Sequence, residues 1–254
     1  MYPGRRHDLE HVHAHSDDDV PILRDWVDAI HATGDTKVAA QLVAYGYWAP
    51  NGRQSTAEDI APSAVELPIE GSHPYVARAE FRPRVRALTL DEIHAIEDAI
   101  GQSARRVKEA GFDAVELQIL AGNVLHRFLN TFTNRREDEY GGSFENRSRI
   151  VLRVLEKIKA QVGDDFPVMA RIAVADLVSW GMTQEEWFDV ARLLEANGVV
   201  AFGIYPGWHE TPVPRHQMSV PRGAFVHLAE ALKRVTNLPV IANIRINDVV
   251  LANR

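Results

Sequence analysis

NRREDEYGGSFENRSR, residues 134–149, packs five consecutive charged residues, Arg135 to Glu139, against a Gly141-Gly142 turn and a serine. Ser143 is the kind of residue that caps a helix N-terminus, and a helix is expected from about 144 to 162. On both sides lies the same alternation. Upstream, Thr89 and Glu92 form a capping box for a helix running to Ala110, Gly111 closes it, and the apolar run 114–120 reads as a strand. Downstream comes FPVMARIAV, residues 166–174. A helix capped by Thr183 and Glu186 then leads through Gly198 to VVAFGIY, 199–205, and a helix at about 224–235 leads to LPVIANI, 238–244. Nearer the start, 20–33 places Ile22, Leu23, Trp26, Val27 and Ile30 on one helical stripe. Gly34 stops that helix, and KVAAQLV, 37–43, is a short buried-strand candidate. Residues 44–88 carry Pro50, Pro62, Pro68, Pro74 and Pro83 without a sustained period and read as a long loop, of a kind usually functional.

Five apolar strands separated by helices define a parallel sheet, expected to be covered on both sides by right-handed crossovers. Barrel and open doubly wound sheet remain. No Gly-x-Gly-x-x-Gly turn follows any strand, and polar residues gather just after strand ends, which favours a (β/α)8 TIM barrel of the α/β class. With 254 residues, 46% hydrophobic and 25% charged, one domain of barrel size is the simplest expectation. A net charge of -7 and interleaved acids and bases give no field for nucleic acid or anionic membrane. The absence of cysteine removes disulfides, thiolate zinc and iron-sulfur ligation, so redox chemistry needs a borrowed cofactor. No apolar run approaches the roughly 20 residues of a membrane span, and a cytoplasmic location is expected. His11, His13 and His15 form His-x-His-x-His, but RRHDLE before them is too polar for a buried strand. Of the other histidines weighed, only His209 falls at a strand end, so no metal is expected.

GFDAVELQ, the 134–149 stretch and FPVMARI together resemble the old yellow enzyme superfamily of FMN-dependent β/α barrels. GIYPGWHETPVPRHQMSVPRGAF (203–225) and IRIND (244–248) narrow the likeness to the FMN barrel of bacterial 2,4-dienoyl-CoA reductases. The resemblance implies FMN as cofactor, NAD(P)H as electron donor, a small-molecule substrate and a possible homo-oligomer. It makes 134–149 a scaffold loop and helix after the fourth strand. It implies Gln41 at the pyrimidine edge of the flavin, Arg171 near its N1 side, Arg245 near the phosphate or substrate, and His209 as the proton donor. Gln41 could instead satisfy barrel backbone, and Arg171 could instead pair with Glu116. Gln118, Asn123, Glu210 and Arg215 are the substrate-binding candidates.

The departures bear on chemistry. The usual paired donors after strand four are replaced by Gln118 and Ala121, and the usual tyrosine by Asn123, whose amide is no proton donor near neutrality. Pro212 and Phe132 stand where arginines would hold a thioester, while Arg215 and His216 offer another anchor for an anionic group. The resemblance also implies an incomplete barrel, strands three to seven without one, two and eight, in a single partial FMN-binding domain over 1–254. The expected activity is NAD(P)H-driven reduction of an activated C=C bond. Flavin-dependent oxidative N-demethylation or amine dehydrogenation, and an inactive truncated barrel, are the alternatives.

Overall fold

A computed structural model describes residues 14–44, 59–68 and 84–253. His11 and His13 lie outside the described residues; the His15 amide donates to Asp19 Oδ2 in the turn that opens the first helix, α1 (Val20–His31). The five expected strands are present as β1 (Ala39–Leu42), β4 (Ala114–Ile119), β5 (Val168–Ile172), β6 (Phe202–Ile204) and β7 (Val240–Ile241). They pair in parallel in the order β1-β4-β5-β6-β7. The connecting helices are α2 (Leu90–Glu109), α4 (Phe144–Val162), α5 (Gln184–Ala196) and α6 (Val226–Lys233). Both capping boxes form, at Thr89/Glu92 and Thr183/Glu186, and Ser143 Oγ accepts from the Asn146 amide.

That strand order corrects one expectation. Right-handed crossovers that always step to the next strand in one direction put every helix on the same side of the sheet; coverage of both faces needs a reversal of order. Accordingly Val115, Leu117, Ile119, Val168, Ala170, Ile172, Phe202 and Ile204 join the helices in one core, while Ala39, Ala114, Met169 and Ile241, which alternate with them, do not. The second face instead presents Gln41, Glu116, Gln118, Arg171 and Gly203, brought side by side by the register. This is the singly wound strand order found in barrels.

Two further expectations change. The 44–88 region contains β2 (Asp59–Ala61) and β3 (Val85–Ala87), which pair with each other in parallel, and a short helix, α3 (Val124–Leu129), follows β4. In α1 the buried row is Val20, Leu23 and Val27, spaced i, i+3, i+7; Ile22 and Trp26 lie on the adjacent row and stay 57% exposed.

Residues 134–149 hold the scaffold together. Asn134 Nδ2 donates to Phe128 O and Tyr140 O, and Arg136 Nη1 donates to Pro62 O and Leu88 O while its other nitrogens grip Asp138. Arg147 Nε donates to Leu129 O, and Tyr140 Oη donates to Glu97. A Cβ on Gly141 would sit 2.1 Å from Arg136 O, so no side chain fits there. The stretch clamps the loop before α2, the end of α3 and the start of α4.

Candidate active site at the C-terminal ends of the strands

Five non-glycine residues among those described take left-handed backbone: Ala121, Val174, Leu177, Ile244 and Arg245. All follow the C-terminal ends of β4, β5 and β7. Each costs on the order of 1–3 kcal/mol, and such strain concentrates where loops are held for function. In parallel α/β sheets this is the edge that binds ligands.

On the open face, one directed chain of hydrogen bonds links β4 and β1, and β5 joins it through Arg171. Asn123 Nδ2 donates to Gln118 Oε1 (3.2 Å), Gln118 Nε2 to Gln41 Oε1 (2.8 Å), and Gln41 Nε2 to Glu116 Oε2 (2.6 Å). Arg171 Nε approaches the other Glu116 oxygen at 3.2 Å. A carboxylate only accepts, so Glu116 fixes which way each amide points. Its side chain is 8% exposed against 27% for Arg171, leaving the cation on the half-open side. The pairing of Arg171 with Glu116, the bland alternative, is thus real, and the pair is part of the row that carries Gln41 and Gln118. Asn123 also caps α3, its Oδ1 accepting from the His126 amide.

Gly203 faces this row from β6. A Cβ there would lie 2.8 Å from Glu116 Oε1 and 3.2 Å from Arg171 Nε. We expect Gly203→Ala to cost about 1–3 kcal/mol, as overpacking does, in urea unfolding; a midpoint shift under a few tenths of that would mean the pair is free to move aside.

The β6–α6 segment supplies a second group. Trp208 is fully buried, His209 is half-buried, and Glu210 and Arg215 are 3% and 5% exposed. Arg215 Nη1 donates to Pro206 O and Gly207 O, and its guanidinium lies 5.1 Å from the Tyr205 ring centroid. Tyr205 Oη is hydrogen-bonded to Nε2 of the exposed His216. Burial lowers the Arg215 pKa from its ordinary value, against the pull of Tyr205 and Glu210. Arg245 stands apart from the row, its Nε donating to Val220 O. Beneath the mouth, Asp176 accepts from Trp187 Nε1 (2.9 Å) and the Met182 amide (2.7 Å) and pairs with His126 Nε2 at 3.1 Å. The Gly122 amide points at His126 Nδ1, which places the ring proton on Nε2, toward Asp176. Trp208 packs on His126 with ring centroids 4.3 Å apart.

The structure therefore brings Gln41, Gln118, Asn123 and Arg171 into one row, groups Glu210 and Arg215 with Tyr205, and sets Arg245 elsewhere. Sequence reading missed Tyr205 at the mouth and the buried pair of His126 and Asp176 beneath it. For Tyr205 the signal was present: it follows Gly203 by two and so shares its face.

A parallel, singly wound sheet with an amide, a carboxylate and a guanidinium in line at the C-terminal edge defines a barrel-type ligand site. The chain belongs to the NADH:flavin oxidoreductase / NADH oxidase family, whose model matches residues 4–252, within the old yellow enzyme superfamily. It is 36% identical over 238 residues to a metal reductase of Desulforamulus reducens, covering 93% of this chain and 34% of that protein. It is 32% identical to an N,N-dimethylglycine/sarcosine dehydrogenase of Chromohalobacter salexigens, covering 96% and 34%. Among solved structures it resembles 2-naphthoyl-CoA reductase with TM-score 0.81 at 30% identity, covering 93% of this chain and 36% of that one. It resembles the old yellow enzyme homologue of Zymomonas mobilis with TM-score 0.68 at 26% identity, covering 90% and 62%. The chain thus spans about a third of the length of the two curated relatives.

The family implies FMN as cofactor and NAD(P)H as electron donor. The donor set fits one end of that cofactor. An imide edge, N–H between two carbonyls, asks for an acceptor and donors side by side, which the Gln41 amide supplies, with the Arg171 cation next in line. Among the described residues no helix is long and apolar enough to cross a membrane.

Proposed function

We propose that residues 1–254 act as one FMN-binding unit, with β1, β4, β5, β6 and β7 serving as strands three to seven of an eight-stranded barrel, and that the protein reduces an activated C=C bond with NAD(P)H. The observation that carries this reading is the Gln118–Gln41–Glu116–Arg171 row. Bound FMN supplies hydride transfer. Gln41 holds the pyrimidine edge of the ring, and Arg171, kept in place by Glu116, presents a fixed positive charge where reduction builds negative charge. Arg245 takes the phosphate or substrate end. Gln118 offers an amide N–H to the carbonyl conjugated with the double bond, and Arg215 and Glu210 shape the pocket wall. The resemblance points to His209 as the proton source. The likeness to 2-naphthoyl-CoA reductase favours a conjugated acyl thioester as substrate class, although Phe132 and Pro212 stand where arginines would hold a 2,4-dienoyl-CoA, so its anionic end would need another anchor such as Arg215.

The test is spectroscopic. The purified protein should be yellow, bleach with NAD(P)H without oxygen, and recover its colour when an α,β-unsaturated ketone or thioester is added. A protein that binds no flavin would end this reading. A second reading is oxidation of a carbon-nitrogen bond in an N-methyl amine, favoured by the likeness to the dimethylglycine/sarcosine dehydrogenase and by Asn123 being committed to a helix cap. Bleaching by sarcosine or dimethylglycine, and not by NAD(P)H, would select it.

A further inference from the structure

We propose that Tyr205, in place of the His209 to which the resemblance points, is the proton donor of the C=C reduction, with His216 returning its proton from solvent; this rests on the reduction reading above in every other respect. Reducing the double bond consumes one hydride and one proton. The hydride comes from NAD(P)H, and the proton must come from a group at the mouth that keeps its hydrogen at neutral pH. Asn123, at the position where the family carries its tyrosine, cannot supply it: both ends of its amide are engaged, Oδ1 by the His126 amide and Nδ2 by Gln118.

Tyr205 has the required features. It follows β6 directly, and by the alternation of a strand it shares the face of Gly203, where Arg171 and Glu116 lie. Its amide donates to Ile172 O, which anchors it to the end of β5, the strand that carries Arg171. The ring is half-buried and contacted by the Arg215 guanidinium, 5.1 Å from its centroid, and by the His216 ring at 5.3 Å, while Arg215 is itself fastened to Pro206 O and Gly207 O. A phenol held this way has one orientation. With its proton on Nε2, His216 donates to Tyr205 Oη, and the phenol hydrogen is then directed to another acceptor. In the step, the Oη–H bond breaks, a C–H bond forms at the α-carbon, and the electron pair stays on Oη. His216 passes its Nε2 proton to the tyrosinate and, being exposed, takes another from water.

Charges around the phenol suit both halves of the cycle. Burial pushes the Tyr205 pKa up, so the group remains protonated through the neutral range, while the cations Arg215 and Arg171 pull the other way and favour the transient anion. Glu210 acts on Arg215 in turn.

The experiment separates the two half-reactions in the flavin-loaded protein with 2-cyclohexen-1-one as probe. In Tyr205→Phe, bleaching by NAD(P)H should stay within about twofold of wild type, while recovery of colour by the enone slows about 100-fold, the size of a lost general acid. His216→Asn should slow recovery about tenfold and move its pH profile. It should also shift the ultraviolet difference titration of the one tyrosine that Tyr205→Phe removes, a readout that needs no turnover. Recovery in Tyr205→Phe within threefold of wild type would overturn the assignment, as would equal slowing of both half-reactions. A large loss confined to His209→Asn would assign the proton to His209. If wild-type protein bleaches but neither the enone nor crotonyl-CoA restores its colour, the reduction reading fails and takes this inference with it.

Discussion

Replacing Asp176 by Asn should destabilise the protein by about 3–5 kcal/mol, the range for leaving a buried charged network half satisfied. The carboxylate is 2% exposed and accepts from Trp187 Nε1 and the Met182 amide while pairing with His126, itself fully buried. An amide offers one accepting oxygen, and its NH2 would face donors. Burial alone would raise the Asp176 pKa, but the imidazole of His126 and the Met182 amide outweigh it and hold the pKa below its ordinary value. The sign follows from that direction. The group stabilises the fold fully above the unfolded pKa, at about pH 4, and this contribution is lost as pH falls toward the folded value. Urea unfolding of wild type and Asp176→Asn across pH 3 to 7 should therefore show curves that converge on the acid side. A constant gap down to pH 3 would mean that the Asp176 pKa is the same in the folded and unfolded chain, and a gap that widens toward acid would mean that it is raised in the fold. The variant also loosens His126, hence the Gly122 amide and Asn123, so the amide row of the open face should lose order with it.

How much of this was legible in the sequence depended on the range of the interaction. Thr89/Glu92 and Thr183/Glu186 announced two helices because a capping box closes within four residues. The strands of the main sheet were visible as apolar runs between those helices, although their hydrogen-bonded cores are shorter than the runs. The one-sided coverage was not visible, because the direction of each crossover is set by packing and not by local pattern. Helix α3, VLHRFL, escaped because all six residues are buried, so no polar face marks its period. In α1 the stripe was assigned from a row of apolar residues wider than the core needed. For the site, Gln41, Gln118 and Arg171 were named through the family resemblance, and the register sets them side by side on the open face of the sheet. Glu116 entered only as a competitor for Arg171, yet it orients the row, and that role needs the register of β1, β4 and β5 to be known. Asp176 and His126, 50 residues apart, meet only in three dimensions.

A still longer separation, 68 residues, hid the second pair with a large expected effect. Arg127 Nη1 donates to Asp59 Oδ2 at 2.7 Å with both side chains 3% exposed or less, and its Nε donates to Gly122 O at 2.8 Å. One guanidinium thus ties β2 and the loop after β4 to α3. Arg127→Met keeps the apolar stem but removes this cation from the buried Asp59 and this donor from Gly122 O, and should cost about 3–5 kcal/mol. Asp59→Leu alone should cost a similar amount. If the loss arises from an uncompensated charge, the double variant should recover a large part of it, because an apolar pair of similar volume replaces an ion pair at little net cost. Simple addition of the two losses would show instead that each residue acts through other contacts. Because the pair holds Gly122 next to Asn123, Arg127→Met should also weaken flavin binding in the proposed site, and the double variant should restore stability more fully than it restores binding, since Gly122 O still lacks its donor.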